Sequence, residues 1–232
     1  MSIIATQPEQ KERELVPAGT HPAYLYRVIY LGTHKKTFEG KESQSQKVWI
    51  DFELPKQVVE YEDKETKEKK SFVRTIGAEY TLSLSEKGKL LPLIQGWLGR
   101  SLTLDEVQGF DVCSLLGKPA FLTVSHNTAK SGKEYANIAS VAPVMDGFQM
   151  PVAVNKTVEI GKAEWDGEEF EKLPDFLKEK INESNEKIVA NTLDGKIEQE
   201  IPVINTEEKD MTMHQGDNQA DSNGAKLEEP PF

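Results

Sequence analysis

The feature that most constrains the fold is the segment 48–54, VWIDFEL, in which apolar and other side chains alternate strictly. On an extended chain, successive side chains point to opposite faces. One face then carries Val48, Ile50, Phe52 and Leu54, and the other carries Trp49, Asp51 and Glu53. Pro55 ends the segment, since proline cannot donate to a sheet ladder. The alternation predicts a strand with one face in a hydrophobic core.

Further strands are predicted where aromatic and β-branched residues cluster between turn-forming residues. They span residues 21–32, 72–84, 119–126 and 135–144. The polar segment 33–46 is predicted to be a loop, and the highly charged segment 56–71 a flexible hairpin tip or long loop. Apolar residues at helical spacing predict a helix from Ser85 to Leu98 that Gly99 ends, and a second helical turn at 111–116.

Five strands with one helix between the third and fourth favour a small β-barrel over a parallel α/β sheet. The five-stranded Greek-key barrel known as the OB-fold has this order, including the helix. The predicted fold class is therefore mainly β, with a five-stranded OB-fold barrel, one short helix, a C-terminal extension and a disordered acidic tail.

The chain divides into four predicted regions. Residues 1–16 form a flexible arm, 17–145 the OB-fold domain, 146–206 an extension and 207–232 a disordered tail. Within the extension, a strand is expected at 152–160 and one amphipathic helix at 173–188. The tail is so polar that it cannot bury enough apolar surface to offset the entropy cost of ordering it.

The net charge of −11 is unevenly distributed over the 232 residues. Residues 16–145 hold 17 basic and 15 acidic side chains, whereas residues 146–232 hold 9 basic and 21 acidic ones. An acidic tail on a balanced body is typical of some nucleic-acid-binding proteins, although a solvated acidic surface is the alternative interpretation.

The sequence contains no recognisable catalytic motif. Neither a metal-binding HExxH or CxxC pattern nor a phosphate-binding GxxxxGK[ST] loop is present, and Cys113 is the single cysteine. We therefore predict a binding protein rather than an enzyme, with no cofactor and no metal. An acidic nuclease cluster stays open as an alternative. Without a signal-peptide core or an apolar run of 18 residues, we expect a soluble intracellular protein with no membrane partner.

Binding to single strands requires positive charge near the phosphates and flat aromatic side chains on which bases stack. Trp49 lies outside the core, so it is either a stacking platform or a lid over a second core formed by the C-terminal segment. Tyr26 and Tyr30 share a face in the first strand, and a bulge would be needed to bring Arg27 to them. Core positions for the tyrosines are the alternative interpretation. The other candidates for DNA contact are Phe38, Lys35, Lys36, Lys41, Lys47, Arg74, Lys130, Lys133 and Tyr135.

The sequence ends in Glu228, Glu229, Pro230, Pro231 and Phe232. An apolar pocket can receive the terminal ring while a basic side chain captures the carboxylate. The predicted role of these five residues is to bind partner proteins, and an accidental sequence end is the alternative.

These residues resemble two groups of single-stranded DNA-binding proteins. The last five are similar to the Asp-Asp-Ile-Pro-Phe tip of the bacterial proteins, with Pro230 in place of Ile. The body resembles phage-encoded members in PAGTHPA (17–23), LG (31–32), KVWIDFEL (47–54), GWLGR (96–100), LGKP (116–119) and GKEYANI (132–138). The resemblance covers residues 16–145 and the tip.

This resemblance implies an OB-fold that coats and protects single-stranded DNA during phage replication or recombination, without strong sequence preference. It also implies a tail that recruits replication or recombination proteins, in the cytoplasm of an infected bacterium. Two alternatives remain: a phage protein-interaction or virion accessory protein that does not bind DNA, and a phage nuclease or recombination enzyme.

Overall fold

The computed structural model describes residues 14–38, 40–62 and 67–200, with the side chains of these residues up to 192 except that of Phe38. Six strands are present in this part of the chain: β1 (Gly19–Phe38), β2 (Lys41–Glu62), β3 (Lys69–Thr81), β4 (Pro119–Thr128), β5 (Glu134–Ala142) and β6 (Val158–Ile160). The α-helices are α1 (Leu90–Leu98), α2 (Leu104–Gln108), α3 (Glu168–Glu171), α4 (Asp175–Asn182) and α5 (Asn185–Glu200). Most of the predicted arm and all of the predicted tail lie outside the described residues.

The first five strands form a curled antiparallel sheet in the order β3-β2-β1-β4-β5. Its free edges, β3 and β5, approach each other, and α1 packs against β5. The sheet is therefore a half-barrel of the OB type, with α1 between β3 and β4. The prediction of a mainly β, five-stranded OB-type fold with a short helix is confirmed.

The inner core fills the concave side of this sheet. It contains the apolar side chains of the alternating β2 segment, which are at most 3% exposed. Others of its members are Leu25, Val28, Ile94, Trp97 and Leu122. α1 contributes its apolar stripe and ends at Gly99, whose φ of 65° is one that glycine tolerates well.

A second hydrophobic cluster, the outer cluster, lies on the other side of the sheet. It joins β1 to the C-terminal segment through Ile29, Leu31, Ile160, Trp165, Phe170, Leu173, Leu177 and Ile181. β6 adds to the sheet by pairing in parallel with residues 27–29 of β1. The part of the extension whose side chains are described, residues 146–192, thus covers one face of the sheet.

Two irregularities in the β1–β2 pairing allow β1 to supply both cores. The register shifts between Leu25 and Arg27, and again between Tyr30 and Gly32. Each shift inserts one residue and changes which side chains face inward, since the side-chain period of a strand is two. Val28 consequently enters the inner core, whereas Ile29 enters the outer cluster.

Two segments that were predicted to lack strands are mostly strand. Residues 33–46 are not a loop, because β1 and β2 pair as far as Phe38 and Lys41. This ribbon projects from the barrel, so neither face acquires the apolar pattern that indicates a strand. The segment 56–71 is likewise mostly strand, since β2 runs to Glu62 and β3 begins at Lys69.

The extension also differs from its prediction. The helix expected at 173–188 is divided into α4 and α5 at the buried Ser184. A Cβ at Gly32 of β1 would overlap the side chain of Ser184. The helix is therefore interrupted at the point where the two backbones approach closely. The strand expected at 152–160 is limited to β6, and α2 was not predicted. None of the described helices is long and apolar enough to cross a membrane.

Candidate nucleic-acid interface

The β1–β2 ribbon, residues 33–38 with 41–46, carries three exposed lysines: Lys35, Lys36 and Lys41. At its base is a cavity of about 300 Å³ between the ribbon, β3 and the end of α4. Its charged lining consists of Lys35, Lys36, Lys47 and Lys180, together with Glu79 and Glu183. The structure thus brings three predicted lysines together and adds Lys180, which sequence reasoning missed.

Glu79 partly neutralises the positive charge of this cavity. Its carboxylate accepts a hydrogen bond from Lys180 Nζ and lies 3.6 Å from Lys47 Nζ. Burial alone would raise the pKa of Glu79, but the two ammonium groups outweigh burial and lower it. Lys47 also donates to Thr81 Oγ1 at 2.9 Å. Within the described part of the chain no carboxylate forms an ion pair with Lys35 or Lys36, although both line the cavity.

A second basic site lies at the turn between β4 and β5. Lys130 and Lys133 flank Gly132, whose φ of 83° permits the tight turn, and Gly132 N donates to Ala129 O at 2.9 Å. Both lysines and Tyr135 are exposed, and the Tyr135 side chain retains 46% of its accessible surface. These three residues belong to a different hairpin from the cavity lysines and do not line that cavity.

Trp49 lies on the outer side of the sheet, where the extension covers it. Its ring meets the ring of Phe176 edge to face at 5.4 Å, and its Nε1 donates to Asp51 Oδ1 at 2.7 Å. Gly77 on β3 leaves room for this pair, because a Cβ there would overlap both Asp51 Oδ1 and Trp49 Nε1. Of the two interpretations of Trp49, this geometry supports a lid over a second core.

Arg27 is also engaged within the protein. Its Nε and Nη2 lie 2.8 and 2.7 Å from Asp51 Oδ2. The bulge that the sequence required is present at Tyr26, and the guanidinium carbon lies 5.3 Å from the centre of the Tyr26 ring. Burial raises the pKa of Asp51, and the charge and hydrogen bond of Arg27 act against that rise. The positive charge of Arg27 thus stabilises a buried carboxylate.

Tyr30 belongs to the outer cluster. Its ring stacks on Trp165 with 7° between the planes and 5.8 Å between the centroids. Its hydroxyl donates to Glu186 Oε1 at 3.0 Å, and Thr33 donates to both oxygens of the same carboxylate. These contacts connect β1 to the start of α5.

Two predicted residues lie away from these groups. Arg74 donates to the carbonyl and carboxylate oxygens of Glu14, and its side chain is 12% exposed. Phe38 pairs with Lys41 at the end of the β1–β2 ribbon, but its side chain lies outside the described part. The predicted partner-binding residues, 228–232, also lie outside the described residues.

Two further features were missed. The first is Glu53, a fully buried carboxylate that accepts hydrogen bonds from Val154 N, Asn155 N and Asn155 Nδ2 at 2.7–2.9 Å. It fastens the extension to β2, and its alternation with Trp49 and Asp51 was the available signal. The second is an exposed aromatic pair, Tyr61 and Phe72, on the β2–β3 hairpin.

No group of three or more His, Cys, Asp or Glu side chains in the described ranges is placed to hold a metal ion. The chain matches no protein-family model and no curated protein sequence. The assignment to an OB-type fold therefore depends on the strand order and the curled sheet, and any function must be argued from the surfaces described above.

Proposed function

We propose that this protein binds single-stranded DNA with little sequence preference, coating it during phage replication or recombination. One observation carries the proposal: lysines free of carboxylate partners among the described residues project from the β1–β2 and β4–β5 hairpins of an OB-type sheet. In OB-folds the loops at these two places contact oligonucleotides. The resemblance to phage-encoded single-stranded DNA-binding proteins supports the same function.

The proposed mechanism differs from the usual one in its use of the sheet face. OB-folds commonly bind oligonucleotides on the outer face of strands 2 and 3 as well. Here Trp49 and Glu53 of that face contact the extension instead, and Asp51 pairs with Arg27 of β1. The strand of DNA would therefore follow the hairpins, with phosphates at the cavity lined by Lys35, Lys36 and Lys47.

The experiment is a titration of a dye-labelled oligo(dT) followed by fluorescence anisotropy, first at low salt and then at rising salt. A label on the DNA is preferable to tryptophan quenching, because Trp97 and Trp165 are buried and Trp49 is covered by Phe176. We expect the logarithm of the association constant to fall linearly with the logarithm of the salt concentration, with a slope of about −0.7 per contacted phosphate.

Duplex DNA of the same length is the control and should compete poorly. Absence of any binding at low salt would overturn the proposal. Cleavage of the oligonucleotide on addition of magnesium would instead support the alternative of a nuclease.

A second candidate function has one specific observation in its favour. Trp49 and Tyr30, two predicted stacking residues, are partly buried and pack against the outer cluster. A phage protein-interaction or virion accessory protein would have aromatic residues in such structural positions. The same titration distinguishes the two candidate functions, since an interaction or virion accessory protein of this kind would not bind oligo(dT).

The proposed partners are replication or recombination proteins of the infected bacterium, in its cytoplasm. Support comes from the similarity of residues 228–232 to the tip of bacterial single-stranded DNA-binding proteins. Deleting Phe232 should leave oligo(dT) affinity nearly unchanged and abolish capture of proteins that bind such tips. Loss of DNA binding upon this deletion would mean that the tip belongs to the DNA-binding surface.

A further inference from the structure

The β2–β3 ribbon, residues 58–62 paired with 69–73, displays an aromatic pair that no contact within the protein covers fully. Tyr61 is 46% exposed and Phe72 is 51% exposed. Their ring centroids are 5.8 Å apart with 63° between the planes. In an edge-to-face pair one ring covers only one face of its neighbour, so both rings keep surface on which another flat group can stack.

The register of the ribbon separates charges between its two faces. Val59 pairs with Phe72 and Tyr61 with Lys70, so these four side chains share one face. Glu60 pairs with Ser71 and Glu62 with Lys69, which places both carboxylates of the paired segment on the opposite face. The two glutamates of β2 in this ribbon are therefore on the face opposite the aromatic pair.

Exposed aromatic rings are one element that single-strand binding uses. A flat ring accepts any base, because every base has a π-face. The rest of the ribbon offers no comparable apolar surface: Val58, which is 56% exposed, lies on the face with Glu60 and Glu62. A protein partner would find two rings and one valine, which is a small area for a specific docking site.

We infer that Tyr61 and Phe72 form a base-stacking site for single-stranded DNA on the face of the β2–β3 ribbon that also carries Lys70. The inference rests on the proposed function and names the residues that contact bases. It places the stacking on this projecting hairpin, in place of the Trp49 surface that the extension covers.

The test is the double substitution Tyr61→Val with Phe72→Val in the full-length chain, measured by anisotropy with labelled oligo(dT). Valine keeps the β-propensity of both positions while removing the rings. Because stacking is worth on the order of 1–3 kcal/mol per base, binding should weaken by roughly tenfold or more. The matched control is Val58→Thr, on the opposite face of the same ribbon, which should bind as the wild type does.

Two further measurements separate stacking from a structural role. Tyr61→Phe retains a ring and should retain the wild-type affinity. An oligonucleotide of the same length without bases should bind the wild type more weakly than oligo(dT), and this difference should shrink in the double variant. Circular dichroism and thermal unfolding of the variants check that each is folded.

The outcomes distinguish this inference from the proposed function. If the wild type does not bind oligo(dT), the proposed function is wrong and the stacking site falls with it. If the wild type binds and the folded double variant binds equally well, only the stacking site is overturned. A double variant that weakens binding to the oligonucleotides with and without bases by the same factor also overturns it, since stacking requires bases.

Discussion

The covered outer face of the sheet and the projecting hairpins contain similar residue types in opposite situations. On the covered face, Trp49, Arg27 and Glu53 each find partners inside the protein. On the hairpins, Lys35 and Lys36 have no carboxylate partner among the described residues, and Tyr61 and Phe72 are half exposed. An aromatic or basic residue on an OB-type strand is therefore not in itself evidence of a ligand contact. Its position relative to the extension determines whether it stabilises the fold or remains available for the proposed binding of DNA.

The largest expected effect tests whether the covered face is a true core. Leu177 of α4 is fully buried in the outer cluster. Leu177→Ala should lower the free energy of unfolding by about 2–5 kcal/mol, the usual cost of a large-to-small change in a core. Chemical denaturation measures this loss, and the folded variant should keep its affinity for oligo(dT).

The matched control is Leu104→Ala in α2, where the side chain is 85% exposed. It should change stability by no more than about 0.5 kcal/mol. Equal effects of the two substitutions would mean that the extension does not contribute a core to the folded protein.

The next effect concerns Trp49. Trp49→Leu removes the edge-to-face contact with Phe176 and the hydrogen bond to Asp51, worth together about 1–3 kcal/mol of stability. Affinity for oligo(dT) should not change, because the ring is covered by the extension. If the variant keeps its stability but loses DNA affinity by tenfold or more, Trp49 is a stacking platform and the outer face of the sheet takes part in binding.

The sequence predicts the part of this difference that depends on neighbouring residues, and not the part that depends on contacts between distant ones. The alternation at residues 48–54 reports a local fact, that one face of β2 is buried, and it placed Phe52 and Ile50 in a core correctly. It also showed that Trp49 lies on the other face. Which of its two interpretations holds depends on Phe176, more than 120 residues away in the chain, and no local pattern contains that contact.

Most of the strand residues of the β1–β2 and β2–β3 ribbons were not predicted, for a different reason. Hydrophobic alternation appears only where one face of a strand is buried, and both ribbons project beyond the barrel. The lysines at positions 35, 36 and 41 were identified by their charge, whereas the strands that carry them were not. Tyr61 was missed because the charged segment 56–71 was interpreted as a hairpin tip or long loop, although Val59 and Tyr61 already alternate with Glu60 and Glu62. Phe72 was placed in a predicted strand, but without Tyr61 as its neighbour.

A smaller effect tests the β1–β2 hairpin. Replacing both Lys35 and Lys36 by Ala should change the slope of the logarithm of the association constant against the logarithm of the salt concentration. The slope should become less negative by about 1.4, since each lost phosphate contact accounts for about 0.7. Stability should hardly change, because both side chains are exposed. The control replaces Lys172 and Lys178, which pair with Glu169 and Glu171 in the extension. An unchanged salt slope for the ribbon variant would remove this hairpin from the DNA-binding surface.

The smallest expected effect lies at the boundary between the two regions, where the β1–β2 ribbon meets α5. Burial would raise the pKa of Glu186, but hydrogen bonds from Thr33 and Tyr30 outweigh it and lower the pKa to about 2. A carboxyl group with a depressed pKa stabilises the fold above its ordinary pKa of about 4.3. That contribution is lost as the pH falls from there towards 2.

Glu186→Gln removes the titrating group, so the stability difference between wild type and variant should be constant near neutral pH and shrink between about pH 5 and pH 2. The difference should be no more than about 1 kcal/mol, because the side chain is only partly buried and solvent screens its charge. Denaturation curves across this pH range measure it, with Glu86→Gln at an exposed position as the control. A difference independent of pH would show that the ionised carboxylate does not join the ribbon to α5, and that the two regions are energetically separate at this point.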